Sequence, residues 1–278
     1  MDLKQIISLI SSRLLEDEAD LHNNFFSLNS NTPTKHFIVD NLLPKELVEK
    51  TYEGFPDESL YHFKDSFREK KYTFAKLDQL ESNLPSLVTD ALQSKEIIKI
   101  IGNITEIDDL EGDPSLYAGG LSRMDETHFL NPHIDNSHDS TRSKYRRLNV
   151  LFYVSPNITE GDGGNFELWD PRVKKPLKIP SLFNRLVVME TTKTSWHSVD
   201  NIVSDIQRCC LSNYYFSKSS PDGMSYYHVT SFLGRPSQHI RRNIGRIDNF
   251  LRQTVAKTLN ISRGKHLSRK NTLRNHNE

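Results

Sequence analysis

Two histidines and two aspartates lie within ten residues, in the stretch NPHIDNSHDS at 131–140. His133 and Asp135 are two residues apart, so on an extended segment their side chains point to the same face. An imidazole and a carboxylate placed in this way could bind one edge of a metal ion. A His-x-Asp motif is expected by chance about once in a chain with 11 histidines, so the remaining ligands must come from elsewhere.

His197 is the candidate for a third ligand. It follows a predicted strand, RLVVMET at 185–191, and lies in the segment SWHSVDN. Two imidazoles and one carboxylate form the 2-His-1-carboxylate triad, which leaves the opposite coordination positions of the metal open. An Fe(II) oxygenase needs such open positions for a chelating co-substrate and for dioxygen. The residues alone leave two alternatives, a polar loop at 133–135 and a structural role for His197.

The composition is typical of a globular protein, and its charge balance does not indicate a strongly charged partner. The 278 residues have a formal net charge of zero, so nothing in the balance indicates nucleic acid or an anionic membrane. No apolar run is long enough for membrane insertion, and the N-terminal segment lacks the features of a signal peptide. Adjacent Cys209 and Cys210 make a poor disulfide pair, which favours a reducing, cytoplasmic setting.

Helical periodicity occurs near both ends of the chain. It covers residues 2–24 at the N-terminus and 238–259 near the C-terminus, while Pro44 and Pro85 each begin a further predicted helix. The last of these is expected to run without a break through PSLVTDALQSKEIIKII. Residues 56–80 are charged and aromatic without a clear period, so the sequence does not place them.

Between the helices the pattern changes to short β-branched or aromatic segments separated by turns, which is typical of an all-β sandwich or barrel. We therefore expect one domain over residues 1–262, with a basic disordered tail at 263–278. Its expected parts are a helical N-terminal part at 1–104, a β core at about 115–217 and a C-terminal helix at about 238–259. That last helix is also a candidate dimer surface.

Six segments in order resemble the Fe(II)/2-oxoglutarate-dependent oxygenases, in particular the branch similar to prolyl 4-hydroxylases. They are HFIVDNLLPKELVEKTYEGF, SLVTDALQSKEIIKIIG, YAGGLSRMDETHFLNPHID, RRLNVLFYVSPNITEGDGGNFELWD, NRLVVMETTKTSWHSVDNI and QRCCLSNYYFS. The resemblance implies a mainly β fold, a double-stranded β-helix or jelly roll, with N- and C-terminal α-helices packed on it. It also implies a dioxygenase that uses Fe(II), 2-oxoglutarate and O2, with ascorbate as a candidate reductant.

The resemblance gives each candidate residue a role. The family's three metal ligands match His133, Asp135 and His197. Arg208 stands where the family places the Arg or Lys that binds the far carboxylate of 2-oxoglutarate, and a guanidinium can hold a carboxylate through two parallel hydrogen bonds. Tyr153 matches a position where related enzymes use a hydroxyl on the same carboxylate, and Asn149 is a further candidate for cofactor binding. No catalytic residue is expected beyond the metal ligands.

Strand alternation predicts which side chains face the site. Arg208, Cys210, Ser212 and Tyr214 share one face of their strand, and a second predicted face contains Asn149, Leu151 and Tyr153.

The expected reaction is hydroxylation of an unactivated C–H bond, coupled to decarboxylation of 2-oxoglutarate to succinate. Related halogenases lack the carboxylate at position 135, so Asp135 argues against halogenation. The favoured substrate is a small polar metabolite, amino acid or sugar unit, because the insert at 136–146 is polar and charged. The alternatives are a protein or peptide side chain, a cupin-like enzyme with another metal, and a non-catalytic jelly-roll binding protein. Substrate contacts are expected from residues 56–80, 136–146 and 218–237, although packing is the favoured role of the last segment.

Overall fold

The structure is a computed structural model that describes residues 1–243 apart from 28, 30, 118 and 241. Its helices are α1 (Leu3–Glu16), α2 (Glu18–Phe26), α3 (Lys45–Glu53), α4 (Leu84–Leu92) and α5 (Lys95–Thr105). Its strands are β1 (His36–Asp40), β2 (His62–Asp65), β3 (Glu69–Phe74), β4 (Gly120–Met124), β5 (Phe129–Ile134), β6 (Tyr145–Tyr153), β7 (Phe166–Trp169), β8 (Pro176–Ile179), β9 (Arg185–Glu190), β10 (His197–Val199), β11 (Arg208–Ser217) and β12 (Ser231–Phe232). Most of the predicted C-terminal helix and all of the predicted tail lie outside the described residues.

All 12 strands of the described chain belong to one antiparallel sheet, which curls on itself. The strand order is β1-β9-β6-β11-β4-β3-β5-β10-β7-β8, with β2 paired to β3 and β12 paired to β5. Neighbours in this order come from distant parts of the chain, which is typical of a jelly roll. The predicted jelly-roll core is confirmed. The sheet also takes strands from residues 36–74, which lie within the part of the chain predicted to be largely helical.

The main apolar core lies between the N-terminal helices and one face of the sheet. Ile10 of α1 and Ile101 of α5 are completely buried there together with Val150 and Phe152 of β6. Successive side chains of a strand alternate between its two faces. The side chains between these β6 residues therefore point away from the helices, into the interior of the curled sheet.

Two predicted helices are each broken in the structure. The first ends at Glu16, and α2 begins at Glu18. The helix expected to run without a break from Pro85 stops at Leu92, and α5 starts after Ser94, whose hydroxyl accepts a hydrogen bond from the Ile97 amide at 3.3 Å. Serine favours the N-cap position because it satisfies an otherwise free amide, so the uninterrupted helix was the wrong prediction here. No helix among the described residues has the length and apolar character needed to cross a membrane.

The segment that the sequence did not place contains the β2–β3 hairpin. β3 pairs with β4 through Tyr72–Phe74 and with β5 through Glu69 and Lys70, so it joins these two strands in the sheet. β2 lies along the free side of β3, with Lys64 opposite Lys71. The hairpin therefore forms part of the wall around the interior of the sheet.

Candidate metal and co-substrate site

A cavity of about 380 Å³ lies inside the curled sheet. The six residues singled out from the sequence all line it: His133, Asp135, Asn149, Tyr153, His197 and Arg208. Both strand faces expected to point inward do so, since Cys210, Ser212 and Tyr214 of β11 and Leu151 of β6 line the same cavity. The 2-His-1-carboxylate candidates and the candidate carboxylate anchor thus share one cavity.

The two histidines face each other across a pair of strands. His197 on β10 is paired with His133 on β5, and the centroids of their rings are 4.0 Å apart. Asp135 follows directly after β5, and one ligand atom from each of the three residues lies within 4.8 Å of the others. Among the described residues, these three side chains form one group that could hold a metal ion. Its spacing fits a single metal ion.

Backbone carbonyls orient both imidazoles for metal binding. His133 Nδ1 lies 3.0 Å from the Asn131 carbonyl oxygen, and His197 Nδ1 lies 2.9 Å from that of Ser195. A carbonyl oxygen only accepts hydrogen bonds, so each Nδ1 carries the proton and each Nε2 keeps its lone pair for a metal. Burial lowers the pKa of His133 to about 3, which keeps this ring in the neutral form that metals bind.

The Asp135 carboxylate is held by two neighbours besides the imidazoles. Asn149 Nδ2 donates to its Oδ2 at 2.8 Å, and Arg146 Nη1 lies 3.2 Å from the same oxygen. Burial would raise the pKa of Asp135, but the adjacent Arg146 guanidinium holds this pKa well below its usual range. The carboxylate therefore stays ionised. In this structure Asn149 contacts a metal ligand, and its predicted role toward the cofactor stays a prediction.

Arg208 is a buried cation without a carboxylate partner among the described residues. It is 4 % exposed, and its Nε donates to the Gly164 carbonyl at 2.6 Å and to Ser181 Oγ at 3.0 Å. Nη1 has only a 3.6 Å contact with Met124 Sδ. A buried charge is costly unless a counter-ion accompanies it. The guanidinium is thus fixed through one nitrogen and suited to bind a carboxylate through the others.

Two further residues shape the space around Arg208. Its guanidinium carbon lies 4.8 Å from the ring centroid of Tyr153, whose buried hydroxyl is near Ser181 but makes no hydrogen bond of good geometry within the described chain. Gly164 has a φ of +69°, and a Cβ there would lie 2.8 Å from Arg208 Cδ. The Gly-Gly turn that the sequence shows before β7 therefore provides room for the arginine side chain.

Sequence reasoning missed several charged residues in the cavity wall. Arg146 lies at the end of the polar insert 136–146, but it is 1 % exposed and contacts Asp135. Lys64, Glu69 and Lys71 of the β2–β3 hairpin were not singled out at all, although they line the cavity. Their alternation along two short strands was the available signal. Charged residues at alternate strand positions ordinarily indicate a solvent-facing side, which concealed their inward orientation.

Comparison with known families places these features in context. Residues 119–216, the segment that contains the three ligand candidates and Arg208, match the family model of the 2OG-Fe(II) oxygenase superfamily. The strand core of this chain is a 2OG-Fe(II) oxygenase domain. The protein is therefore a dioxygenase, as the resemblance of its sequence to the Fe(II)/2-oxoglutarate-dependent oxygenases implied. No curated protein matches the sequence.

Two solved structures share the fold of this oxygenase at low sequence identity. One is a prolyl hydroxylase from Trichoplax adhaerens in complex with a hypoxia inducible factor peptide; it is 17 % identical, covers 74 % of this chain and 93 % of its own, and has a TM-score of 0.52. The other is a prolyl 4-hydroxylase from Phytophthora capsici, also 17 % identical, which covers 90 % of this chain and 78 % of its own with a TM-score of 0.51. The predicted resemblance to this branch is confirmed for the fold.

The residues of the oxygenase fit the cofactors of its family, Fe(II), 2-oxoglutarate and O2. Two neutral imidazoles and an ionised carboxylate supply the donor set for Fe(II). The buried Arg208 supplies the counter-charge for a carboxylate, and the Tyr153 hydroxyl lies within the same cavity.

Proposed function

We propose that this dioxygenase hydroxylates an unactivated C–H bond in a peptide or protein side chain. The observation that carries the proposed chemistry is the presence in one cavity of the His-Asp-His cluster and of the buried Arg208, which has no carboxylate partner within the described chain. The peptide substrate is supported by the Trichoplax prolyl hydroxylase, which has this fold and was solved with a peptide of hypoxia inducible factor. The small polar metabolite expected from the sequence has weaker support and becomes the second candidate.

Each residue of the site has a positioning role in the proposed reaction. When bound, Fe(II) supplies the oxidising chemistry that couples decarboxylation of 2-oxoglutarate to hydroxylation of the substrate. The Nε2 atoms of His133 and His197 and the Asp135 carboxylate would hold the metal on one side and leave its other side open. Arg208 and Tyr153 would fix the far carboxylate of 2-oxoglutarate, which orients the co-substrate.

Apolar side chains protect the site from bulk water. Leu151, Phe166 and Val199 line the cavity, and Phe232 of β12 stacks on the His133 ring with centroids 5.2 Å apart. Apolar side chains around a site limit side reactions with water and strengthen the electrostatic contacts within it. No protonatable residue besides the metal ligands is required to act on the substrate.

The second candidate, a small polar metabolite, amino acid or sugar unit, is favoured by the polarity of the wall. Lys64, Lys71 and Arg146 line the cavity beside the apolar residues. Fixed charges within a cavity can recognise a small polar molecule without a long peptide groove.

The proposed cofactor chemistry is tested by adding Fe(II) and then 2-oxoglutarate to the apo-protein without oxygen. Chelation of Fe(II) by 2-oxoglutarate gives a weak visible charge-transfer band. We expect this band in the wild type, its absence in His197→Ala, and its retention in the matched variant His138→Ala. His138 lies outside the ligand cluster and packs against the Tyr145 ring at 4.3 Å.

The substrate is then tested by succinate release with peptide and metabolite panels. Release above the substrate-free rate with peptides alone supports the first candidate, and release with metabolites alone replaces it by the second. Iron binding without the band would overturn the assignment to 2-oxoglutarate and the role of Arg208. An unchanged band in His197→Ala would remove this histidine from the metal site.

A further inference from the structure

We propose that the substrate of this oxygenase carries a secondary amide next to the oxidised carbon, and that Asn149 and Arg146 bind this amide. Asn149 Oδ1 accepts from the amide N–H, and Arg146 Nε donates to the amide carbonyl. The inference rests on the proposed function, because it concerns the substrate of the same site. It also separates this substrate from a prolyl residue, whose nitrogen carries no hydrogen within a peptide.

A bulge in β6 brings both side chains to the same carboxylate. Asn149 and Arg146 are three residues apart, so a regular strand would direct them to opposite faces. Two successive residues of β11 pair with β6 residues two positions apart, and the register therefore skips Arg147. A bulge of this kind changes the direction of neighbouring side chains. Both residues reach Asp135 Oδ2, at 2.8 Å from Asn149 and 3.2 Å from Arg146, and both line the cavity.

The Asp135 carboxylate fixes the orientation of the Asn149 amide. An ionised carboxylate only accepts hydrogen bonds, so Nδ2 must face Asp135 and the amide cannot be turned round. Oδ1 is thereby left as a buried acceptor, and no donor within the described chain makes a hydrogen bond to it. A buried acceptor without a donor is costly. A molecule that fills the cavity should therefore supply the missing N–H or O–H group.

Arg146 has a buried donor beside the same carboxylate. Its Nη1 lies near Asp135 and its Nη2 donates to Asn136 Oδ1 at 3.0 Å, whereas Nε has no acceptor among the residues that the structure describes. The guanidinium carbon lies 3.9 Å from the centroid of the Tyr214 ring. Contacts at two nitrogens and on one face hold the guanidinium, so Nε presents its hydrogen in a fixed direction.

An acceptor and a donor beside one carboxylate match the two polar groups of a secondary amide. 2-Oxoglutarate cannot meet both, because its keto group and its two carboxylates only accept hydrogen bonds. In a peptide, every residue except proline brings one N–H and one carbonyl. The proposed peptide substrate therefore provides the required pair of groups at any target residue other than proline.

The amide could belong to a peptide backbone or to the N-acetyl group of a small metabolite, and two sets of probes separate these sources. The peptide set is N-acetyl-leucine dimethylamide, its N-methyl-leucine counterpart and N-acetyl-proline dimethylamide, of which only the first has an N–H. The metabolite set is N-acetylglucosamine and glucose, which differ in the amide and the hydroxyl at one carbon.

Binding is measured by calorimetry, without oxygen, on protein loaded with saturating Fe(II) and 2-oxoglutarate. In at least one set, we expect the probe with the secondary amide to bind about ten-fold or more tightly than its partners. The reason is that a site with a buried acceptor rejects a ligand that leaves this acceptor unmatched.

Asn149→Ala should remove this preference. The probe with the N–H should bind about ten-fold more weakly than to the wild type, and the probes without it should be unchanged. A purely structural role of Asn149 would weaken all probes alike. Because Asn149 also orients a metal ligand, Fe(II) is raised until the charge-transfer band of the variant is complete. The comparison of probes on the wild type decides the inference if the variant does not load iron.

Arg146→Lys tests the other half of the site. It keeps a positive charge beside Asp135 but lacks the second donor, so it should weaken every amide probe and preserve the preference for the N–H. The matched control for both variants is Asn213→Ala, since the buried Asn213 side chain bonds to Gln93 and does not line the cavity. All probe affinities should stay the same in this control.

Selective binding of the leucine probe supports the inference with a peptide source, and selective binding of N-acetylglucosamine supports it with a metabolite source. Equal affinities within both sets, or binding of no probe, overturn the inference and leave a bound water as the partner of Asn149. An intact charge-transfer band leaves the proposed function standing in that case. Absence of the band in the wild type overturns the proposed function instead. A preference that survives in Asn149→Ala removes the role assigned to this residue.

Discussion

At the scale of single residues, the two histidine ligand candidates share a hydrogen bond to the backbone that the sequence does not reveal. His133 and His197 each direct Nδ1 to the carbonyl two residues earlier in the chain. The identities of the ligands could be proposed from spacing and family resemblance. Their tautomers could not, because every residue has a backbone carbonyl and only the folded geometry decides which one lies next to the ring.

Asn149→Ala should weaken Fe(II) binding about 10- to 100-fold, a loss typical of removing a group that orients a metal ligand. The physical reason is the 2.8 Å hydrogen bond from Asn149 Nδ2 to the Asp135 carboxylate. Fe(II) affinity is measured by anaerobic calorimetry. The control is Asn213→Ala, whose buried side chain accepts from Gln93 Nε2 at 2.9 Å instead. Equal losses in both variants would contradict a specific role for Asn149.

Gly164→Ala should raise the 2-oxoglutarate concentration needed for half-saturation about 10- to 100-fold, because displacement of an anchoring group by a fraction of an ångström disturbs ligand positioning. The new methyl group would approach Arg208 Cδ to 2.8 Å. Titration of the charge-transfer band measures the effect. Gly223→Ala is the matched control, since Gly223 has a similar φ of +72° but no atom within 4 Å of an added Cβ. A similar shift in the control would attribute the effect to backbone strain alone.

At the scale of secondary structure elements, the β2–β3 hairpin shows where local pattern fails. Residues 62–74 have only two short strands, and their inward positions are largely charged or polar. A half-buried strand is ordinarily recognised by apolar residues on its inward face. In this hairpin the inward face lines a cavity instead of the apolar core, so the same pattern indicates solvent exposure when the chain is considered alone.

The stabilisation from Glu69 should depend on pH. Burial opposes ionisation, but Lys71 and Lys64 lower the pKa of this carboxyl from 4.5 to about 2. A lowered folded-state pKa means that the stabilisation is fully present above pH 4.5 and is lost as the pH falls toward 2. Compared with wild type, Glu69→Gln should lose on the order of 3 kcal/mol of unfolding free energy at neutral pH, and this difference should shrink in acid.

Urea unfolding of both proteins between pH 7 and the acid limit of folding measures this difference. The exposed substitution Glu46→Gln provides the control, since Glu46 lies in the first turn of α3 away from the cavity. A difference between wild type and Glu69→Gln that stays constant with pH would mean that the lysines do not stabilise the ionised carboxylate.

At the scale of the whole molecule, the sequence predicted the fold class better than the connections within it. Alternating segments such as residues 146–155 indicated strands, and β6 occupies nearly that range. The pairing of β1 with β9 joins residues about 150 positions apart, and no local pattern encodes such a contact. The jelly-roll fold was therefore expected through the family resemblance and its strand order was not predicted, whereas the break at Ser94 had a local signal in its capping hydroxyl.

Cofactor binding should stabilise the entire fold, because the ligands of the site come from β5, β10 and β11 and from the residue after β5. At 100-fold above its Kd, a ligand specific for the folded state adds about 2.7 kcal/mol. We expect Fe(II) at that concentration to raise Tm by about 5–10 °C, given roughly 2–4 °C per kcal/mol for a chain near this size.

Anaerobic thermal melts with and without Fe(II) measure this shift, and a chelator should reverse it. His197→Ala should show little or no increase at the same Fe(II) concentration. An equal increase in this variant would indicate that iron stabilises the protein from some place other than the His-Asp-His cluster.

The strand that carries His133 has neighbours from three separate parts of the chain. β5 pairs with β3 (Glu69–Phe74), with β10 (His197–Val199) and with β12 (Ser231–Phe232). During synthesis on a ribosome, a nascent chain that has reached residue 190 would hold two of the three iron ligands and lack two of the strands that flank them. The complete set of three ligand candidates therefore exists only once β10 has been translated, and the last strand that flanks His133, β12, follows more than 30 residues later.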